Sequence, residues 1–209
     1  MKTSISVLTA RSVSYAYDGR DVLHGVSVTL PRGTVTAIAG PNGSGKSTLV
    51  ELLAGVRTPR CGEISRGGAV ALVVQRPSVP DTLPVTVFDV VTMGTWARRL
   101  DRRSARSVVA EAIEKVDLTG FEKQPLAALS GGQRQRALLA QGIVQEAPIL
   151  LLDEPAAGLD SASRRRTREI LAEYATRCGA AVACVTHDDE SIAAADRVLR
   201  LESGRAAVF

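Results

Sequence analysis

One octapeptide restricts what this chain can fold into more than any other feature. Gly40-Pro41-Asn42-Gly43-Ser44-Gly45-Lys46-Ser47 fits the spacing G-x-x-x-x-G-K-[S/T], a pattern that acts only between a strand and a helix. Both flanks are present. Val35–Ala39 reads as a short buried strand, and Ser47–Ala54 sets Leu49, Leu52 and Leu53 on one helical stripe, with Gly55 at its C-cap. Glycines let such a loop fold tightly, so that successive N–H groups point at phosphate oxygens. The helix N-terminus adds partial positive charge. Residues Gly40 to Thr48 are therefore a candidate phosphate-binding segment. Lys46 is expected to reach the β- and γ-phosphates, and the Ser47 hydroxyl to ligate Mg²⁺.

A second element follows at Ile149-Leu150-Leu151-Leu152-Asp153-Glu154. Four apolar residues followed by two carboxylates describe a buried strand that ends at a site. Asp153 is placed to hold Mg²⁺ through water, and Glu154 to polarise an attacking water. Alone this pair is a weak signal, because surface turns often carry acids. Beside a phosphate loop it is a strong one.

The remaining sequence reads as an α/β chain. Ser4–Ser14 and Val22–Leu30 alternate apolar and polar residues around Asp18-Gly19, which predicts an antiparallel pair. Strands are expected at Ala69–Val74, Ile149–Leu152, Ala181–Thr186 and Arg197–Leu201. Helices are expected at Val85–Ala97, at Ala105–Val116 capped by Ser104, at Gly131–Val144, from Ser161 as cap to about Arg177, and at Asp188–Ala195. Alternation of strands and helices implies a largely parallel sheet. The 209 residues, 45% apolar and 23% charged, suit one domain with a substantial core, which excludes a disordered chain or a disulfide-stapled mini-protein. The longest apolar stretches fall far short of the ~20 residues that cross a bilayer. Three cysteines without metal spacing, and no visible secretory signal, point to a reducing cytoplasmic setting. Net charge is +4, carried largely by arginine clusters such as Arg164-Arg165-Arg166 that read first as solvated helix faces. Aromatics are 3% of the chain, too few for base-stacking platforms, so no nucleic-acid partner is expected.

At Leu129-Ser130-Gly131-Gly132-Gln133-Arg134-Gln135-Arg136 the chain resembles the signature sequence of ABC (ATP-binding cassette) ATPases. Further motifs follow the family's order. Tyr17 resembles the aromatic that stacks on adenine, with Tyr15 as a rival. Gln75 resembles the Q-loop glutamine, Ala157-Gly158-Leu159-Asp160 the D-loop, and His187 the switch histidine. The resemblance covers nearly the whole chain. It implies a P-loop NTPase fold of the ABC type: a mainly parallel core sheet flanked by helices, a small N-terminal antiparallel β subdomain and an inserted helical subdomain. Within a single domain over 1–209, segments 1–76 and 130–209 would form the core with the β subdomain, and 77–129 the helical signature subdomain. The short stretch between Gly62 and Gln75 would trim the antiparallel part. The end of the sequence leaves no room for a C-terminal regulatory domain like that of maltose-type importers.

The resemblance also assigns roles. ATP and Mg²⁺ would be bound, with Ser47, Gln75 and Asp153 at the metal. Glu154 would be the catalytic base, helped by His187 and Gln75. Ser130, Gly131, Gly132 and Gln133 would cover the γ-phosphate held by a second copy, with Asp160 acting across that interface. Nucleotide would then join a head-to-tail homodimer. Three uses are open: a transporter motor, a chromosome or repair ATPase, and a ribosome-acting factor. Only 54 residues lie between Gln75 and Ser130, without sustained heptads, and a single cassette is present; both favour the transporter motor.

Arg76-Pro77-Ser78-Val79-Pro80, Leu83-Pro84-Val85-Thr86-Val87 and Met93-Gly94 resemble cassettes of zinc, manganese and iron-chelate uptake. In those, this region receives a coupling helix of the permease, and Trp96 and Val87 are candidate groove residues. The expectation is a zinc or manganese importer motor, peripheral at the cytoplasmic face of the membrane. Its partners would be a transmembrane permease and an extracytoplasmic solute-binding protein. Siderophore or cobalamin uptake is the alternative, and export the third reading.

Overall fold

The computed structural model describes residues 6–74 and 84–207. The chain opens with β1 (Ser6–Tyr17), β2 (Arg20–Pro31) and β3 (Thr34–Ala39), then α1 (Lys46–Ala54), β4 (Cys61–Arg66) and β5 (Val70–Val73). Three helices follow: α2 (Val87–Met93), α3 (Arg102–Lys115) and α4 (Gly131–Ile143). The last third runs β6 (Ile149–Asp153), α5 (Ser161–Cys178), β7 (Ala181–Val185), α6 (Asp189–Ala194), β8 (Arg197–Glu202) and β9 (Arg205–Ala207).

β1 and β2 pair antiparallel across Asp18-Gly19, both with positive φ (45° and 82°), as a two-residue turn matched to strand twist requires. With β4 on the far edge of β1 they make one sheet in the order β2-β1-β4. The other sheet runs β5-β6-β7-β3-β8-β9. Its β5, β6, β7, β3 and β8 are parallel, and β9 folds back antiparallel on β8.

The central strands of the parallel sheet are covered on both faces, and the side-chain alternation of β6 shows how. Ile149 and Leu151 join a core with Ile38, Leu49, Leu52, Leu53 and the apolar face of β1 and β2. Leu150 and Leu152 join the opposite core with Val87, Val109, Ile113, Leu139 and Tyr174. A strand buried on both faces reads as an unbroken apolar run, which is what Ile149–Leu152 displays.

Several expected boundaries move for identifiable reasons. Val85–Ala97 is not one helix: Thr86 and Asp89 form a capping box that starts α2, Gly94 caps its end, and Trp96–Arg98 is a separate 3₁₀ turn. The cap of α3 is Asp101 rather than Ser104, its carboxylate accepting from the Arg103 and Ser104 N–H groups at 2.9 and 3.0 Å. Asp160, not Ser161, caps α5. Strands β4 and β9 were not expected; β4 is almost wholly exposed and carries no period-2 apolar signal. The arginines of α5 are more than a solvated face. Arg166 pairs with Asp117 of the α3–α4 connection at 2.5 Å, and Arg168 with Asp188 at 3.3 Å.

Gly94 is where α2 meets α4. A Cβ there would run into the Gln141 carbonyl oxygen and lie 2.5 Å from Val144 Cγ1. Its φ of −63° suits any residue, so the constraint is contact and not backbone strain. Gly94→Ala should cost about 1–3 kcal/mol by forcing the two helices apart. Thermal unfolding checks this, and an unchanged Tm would contradict the packing described.

Candidate nucleotide site

The parallel register gathers the site. Ile38 of β3 and Asp153 of β6 both pair with Val185 of β7, so three strand ends lie side by side. From β3 the chain enters the phosphate loop, from β6 the two acids, and from β7 Thr186-His187. The Thr186 N–H bonds back to Ile38 O at 3.1 Å.

In the loop, Gly40 has φ 149°, and a Cβ on it would collide with the Leu201 carbonyl. Gly45 has φ 97°, and its Cβ would lie 2.6 Å from Leu23 Cδ2. The Lys46 ammonium is buried and donates to the carbonyls of Gly40 and Pro41 at 2.9 and 2.8 Å, holding the loop curled around it. Pro41, Asn42 and Gly43 form the exposed crest. Helix α1 starts at Gly45 with no side-chain cap and no acid in its first turn, which leaves its positive end open. In the same loop the Ser44 hydroxyl is buried and has no hydrogen-bond partner among the described residues. A cradle closed to side chains, an orphan hydroxyl, a lysine and an open helix N-terminus fit a polyphosphate.

The Ser47 hydroxyl donates to Asp153 Oδ1 at 3.2 Å. Burial pushes Asp153 above the usual carboxylate range, opposed by the Ser47 bond and by Lys46 and reinforced by Glu154 and Glu51. Two hard oxygen ligands next to a phosphate cradle fit Mg²⁺, which takes few protein ligands and completes its shell with water and phosphate.

Glu154 has φ 47°, a left-handed conformation uncommon for glutamate, and its N–H donates to Val185 O at 3.2 Å. His187 Nδ1 lies 3.7 Å from Glu154 Oε1, with the imidazole 65% exposed. Behind them, burial pushes the Cys184 thiol up to about 12, which removes it as a nucleophile.

The second phosphate-type end lies on α4. Ser130 and Gln133 form a reciprocal capping box: Ser130 Oγ accepts from the Gln133 N–H at 3.3 Å, and Gln133 Oε1 accepts from the Ser130 N–H at 3.0 Å. The Ser130 hydroxyl hydrogen is still available to donate. A Cβ on Gly132 would lie 2.6 Å from Ser163 Oγ, so this helix end abuts the start of α5. There Asp160 accepts from the Ser163 N–H at 2.8 Å and from the Ser163 hydroxyl at 3.0 Å, bonds that hold its carboxylate below the usual range. Among the described hydrogen bonds and ion pairs, none joins Ser130 or Gly131 to Lys46, Ser47 or Asp153.

Tyr17 and Tyr15 separate in role. Tyr15 packs against the core between the sheets, whereas Tyr17 is exposed, its hydroxyl donating to Glu51 Oε2 at 3.4 Å and 3.5 Å from Thr48 Oγ1. Arg57 lies 4.7 Å from the Tyr17 ring centre and pairs with Glu51. Neither Arg57 nor Glu51 was expected at the site; a lone arginine after a C-cap glycine carries no motif. Gln75 lies outside the described residues. Of the two groove candidates, Val87 is wholly buried core, and Trp96 is 73% exposed.

The ABC transporter family profile matches residues 23–157. An aliphatic sulfonates import ATP-binding protein of Nocardia farcinica is 38% identical over all of this chain and 83% of its own. A hemin import ATP-binding protein of Streptomyces coelicolor is 41% identical, covering 90% of this chain and 72% of that one. A zinc transport system ATP-binding protein of Treponema pallidum is 38% identical over 90% and 76%. Among solved structures, an ABC transporter in an inward-facing conformation superposes with TM-score 0.90 at 29% identity, covering 97% of this chain and 82% of that one. This chain belongs to the ABC transporter family. It is an ATP-binding subunit and an ATPase. Among the described residues no helix is long and apolar enough to cross a membrane.

The raised pKa of Asp153 has a consequence for stability. Its charged form is disfavoured on folding, so it opposes folding at neutral pH, and the penalty fades as pH falls through its titration range. Asp153→Asn keeps an acceptor for Ser47 without the charge. Without nucleotide it should raise Tm at neutral pH, with the gap closing in acid. A lower Tm at neutral pH would contradict this.

Proposed function

We propose that this chain is the ATP-hydrolysing motor of an importer for a metal ion or metal chelate, with zinc or manganese as the leading cargo. It would work at the cytoplasmic face of the membrane, docked to a permease and served by an extracytoplasmic solute-binding protein. The observation that carries the motor reading is the division of the site within one chain. Lys46, Ser47, Asp153, Glu154 and His187 lie at or beyond the adjoining ends of β3, β6 and β7, whereas among the described residues no hydrogen bond or ion pair joins the Ser130 helix end to Lys46, Ser47 or Asp153. In this reading each copy carries two half-sites. Head-to-tail pairing of two copies would close both sites around nucleotide, a twofold arrangement.

In that dimer the loop from Gly40 to Thr48 wraps the phosphates, and Lys46 exchanges its loop carbonyls for β- and γ-oxygens. Tyr17 offers its ring to the adenine. Ser47, Asp153 and Gln75 would hold Mg²⁺, whose charge would neutralise the phosphates. Glu154 accepts the proton of the attacking water. His187 steadies that glutamate and the γ-phosphate. Ser130, Gly131, Gly132 and Gln133 of the partner copy donate to the γ-phosphate, with Asp160 at the same seam. Loss of the γ-phosphate removes the contacts that favour the closed pair.

The cargo reading draws on relatives named for hemin import and for zinc and manganese transport. Sulfonate import is the second reading, favoured by the Nocardia protein, whose match covers all of this chain and 83% of its own. A motor subunit does not contact cargo, so uptake must decide. A deletion strain should lose accumulation of zinc or manganese, or of ferric or haem chelates; loss of sulfonate uptake alone would select the second reading.

Two results bear on the mechanism. Glu154→Gln should trap an ATP-bound dimer on gel filtration, and a monomer with normal turnover would remove Glu154 as base. Lys46→Ala should abolish ATP binding, whereas Ser130→Ala should cut hydrolysis by about ten-fold or more while monomer ATP affinity is kept. Equal loss of binding in both would argue against a site shared between copies.

A further inference from the structure

We propose that Arg164 is a positioning residue that ties His187 to the Leu159-Asp160 turn at the start of α5. The proposal rests on the role given above to His187. Arg164 Nη1 donates to Leu159 O at 3.0 Å, and its Nε lies 3.6 Å from Asp188 Oδ1. One guanidinium therefore touches the turn that ends at Asp160 and the residue that follows His187.

Asp188 cannot shift independently of α5. Arg168, one turn further along, reaches Asp188 Oδ2 at 3.3 Å and Glu190 Oε2 at 2.8 Å. The same Asp188 carboxylate caps α6, accepting from the Ser191 N–H at 2.8 Å and the Ser191 hydroxyl at 2.6 Å. These contacts are half-buried, where a charge pair is screened less than on an open surface.

What Asp188 fixes is the loop that carries a largely exposed imidazole. The 3.7 Å between His187 Nδ1 and Glu154 Oε1 is just beyond hydrogen-bond range. A loop displacement well under 1 Å would bring the pair into that range. Glu154, Ala157, Gly158, Arg164, His187 and Asp188 line one cavity of about 340 Å³. A second copy that displaces Leu159-Asp160 would therefore move His187 relative to Glu154 through this arginine. The turn reports dimer closure to the histidine of its own chain.

Steady-state ATPase rates and ATP affinities of R164A, H187A and the double variant test the link. R164A should lower kcat by about ten-fold while ATP affinity changes by less than about two-fold. In the H187A background R164A should change kcat by less than about two-fold, because what it positions is gone. R164K keeps charge beside Asp188 but engages one partner at a time, and should fall between wild type and R164A; it carries the same comparison if R164A does not fold. Wild-type kcat in R164A, or an additive loss on H187A, would overturn the link and leave the motor reading standing. Wild-type turnover in H187A would remove the histidine from the reaction and the link with it.

Discussion

The site depends on the register of three parallel strands. β7 lies between β6 and β3, and Val185 is the shared partner of Asp153 and Ile38. Slipping β6 or β7 by one residue would swap the side chains it sends into the two close-packed cores, so the cores that pin these strands also fix where the phosphate loop, the acids and the histidine end. Hydrophobic burial, which is non-directional, becomes positional precision through the ladder. The ends of α1 and α4 then supply polar N-termini without further backbone cost.

The local chemistry is held in tension against this frame. Lys46 is buried on its own loop carbonyls, so a polyphosphate must outcompete two hydrogen bonds, which an anionic ligand does readily. Asp153 is kept desolvated next to Ser47, a cost that a divalent cation would offset. Glu154 takes a left-handed backbone at the point where β6 turns away from the sheet. These are features that folding alone would not favour, and they cluster where charge must be handled.

Much of this was legible in the sequence because the chemistry is local. The phosphate loop needs its glycines in fixed order, and a Cβ at Gly40 or Gly45 has nowhere to go. Ile149–Leu152 declared a strand buried on both faces. The family motifs at Ser130, Asp160 and His187 were readable for the same reason: each is a short run with one spacing. What failed to show was set by tertiary context. β4 is exposed and held by pairing with β1 rather than by pattern. Ser104 was expected to cap α3, but Asp101 lies three residues earlier and also accepts the Ser104 hydroxyl, at 2.7 Å. The arginines of α5 looked like a solvated face because their partners, Asp117 and Asp188, lie far along the chain. Arg57 lacks any motif and is visible only by its place over Tyr17.

A structure of the Glu154→Gln chain with ATP and Mg²⁺ would decide whether two copies share each nucleotide. Expected is a twofold pair in which Ser130 Oγ and the Gly131 and Gly132 N–H groups of one copy lie within hydrogen-bond distance of the γ-phosphate gripped by Lys46 of the other. A nucleotide enclosed by one chain alone, with Ser130 turned to solvent in every assembly, would contradict it.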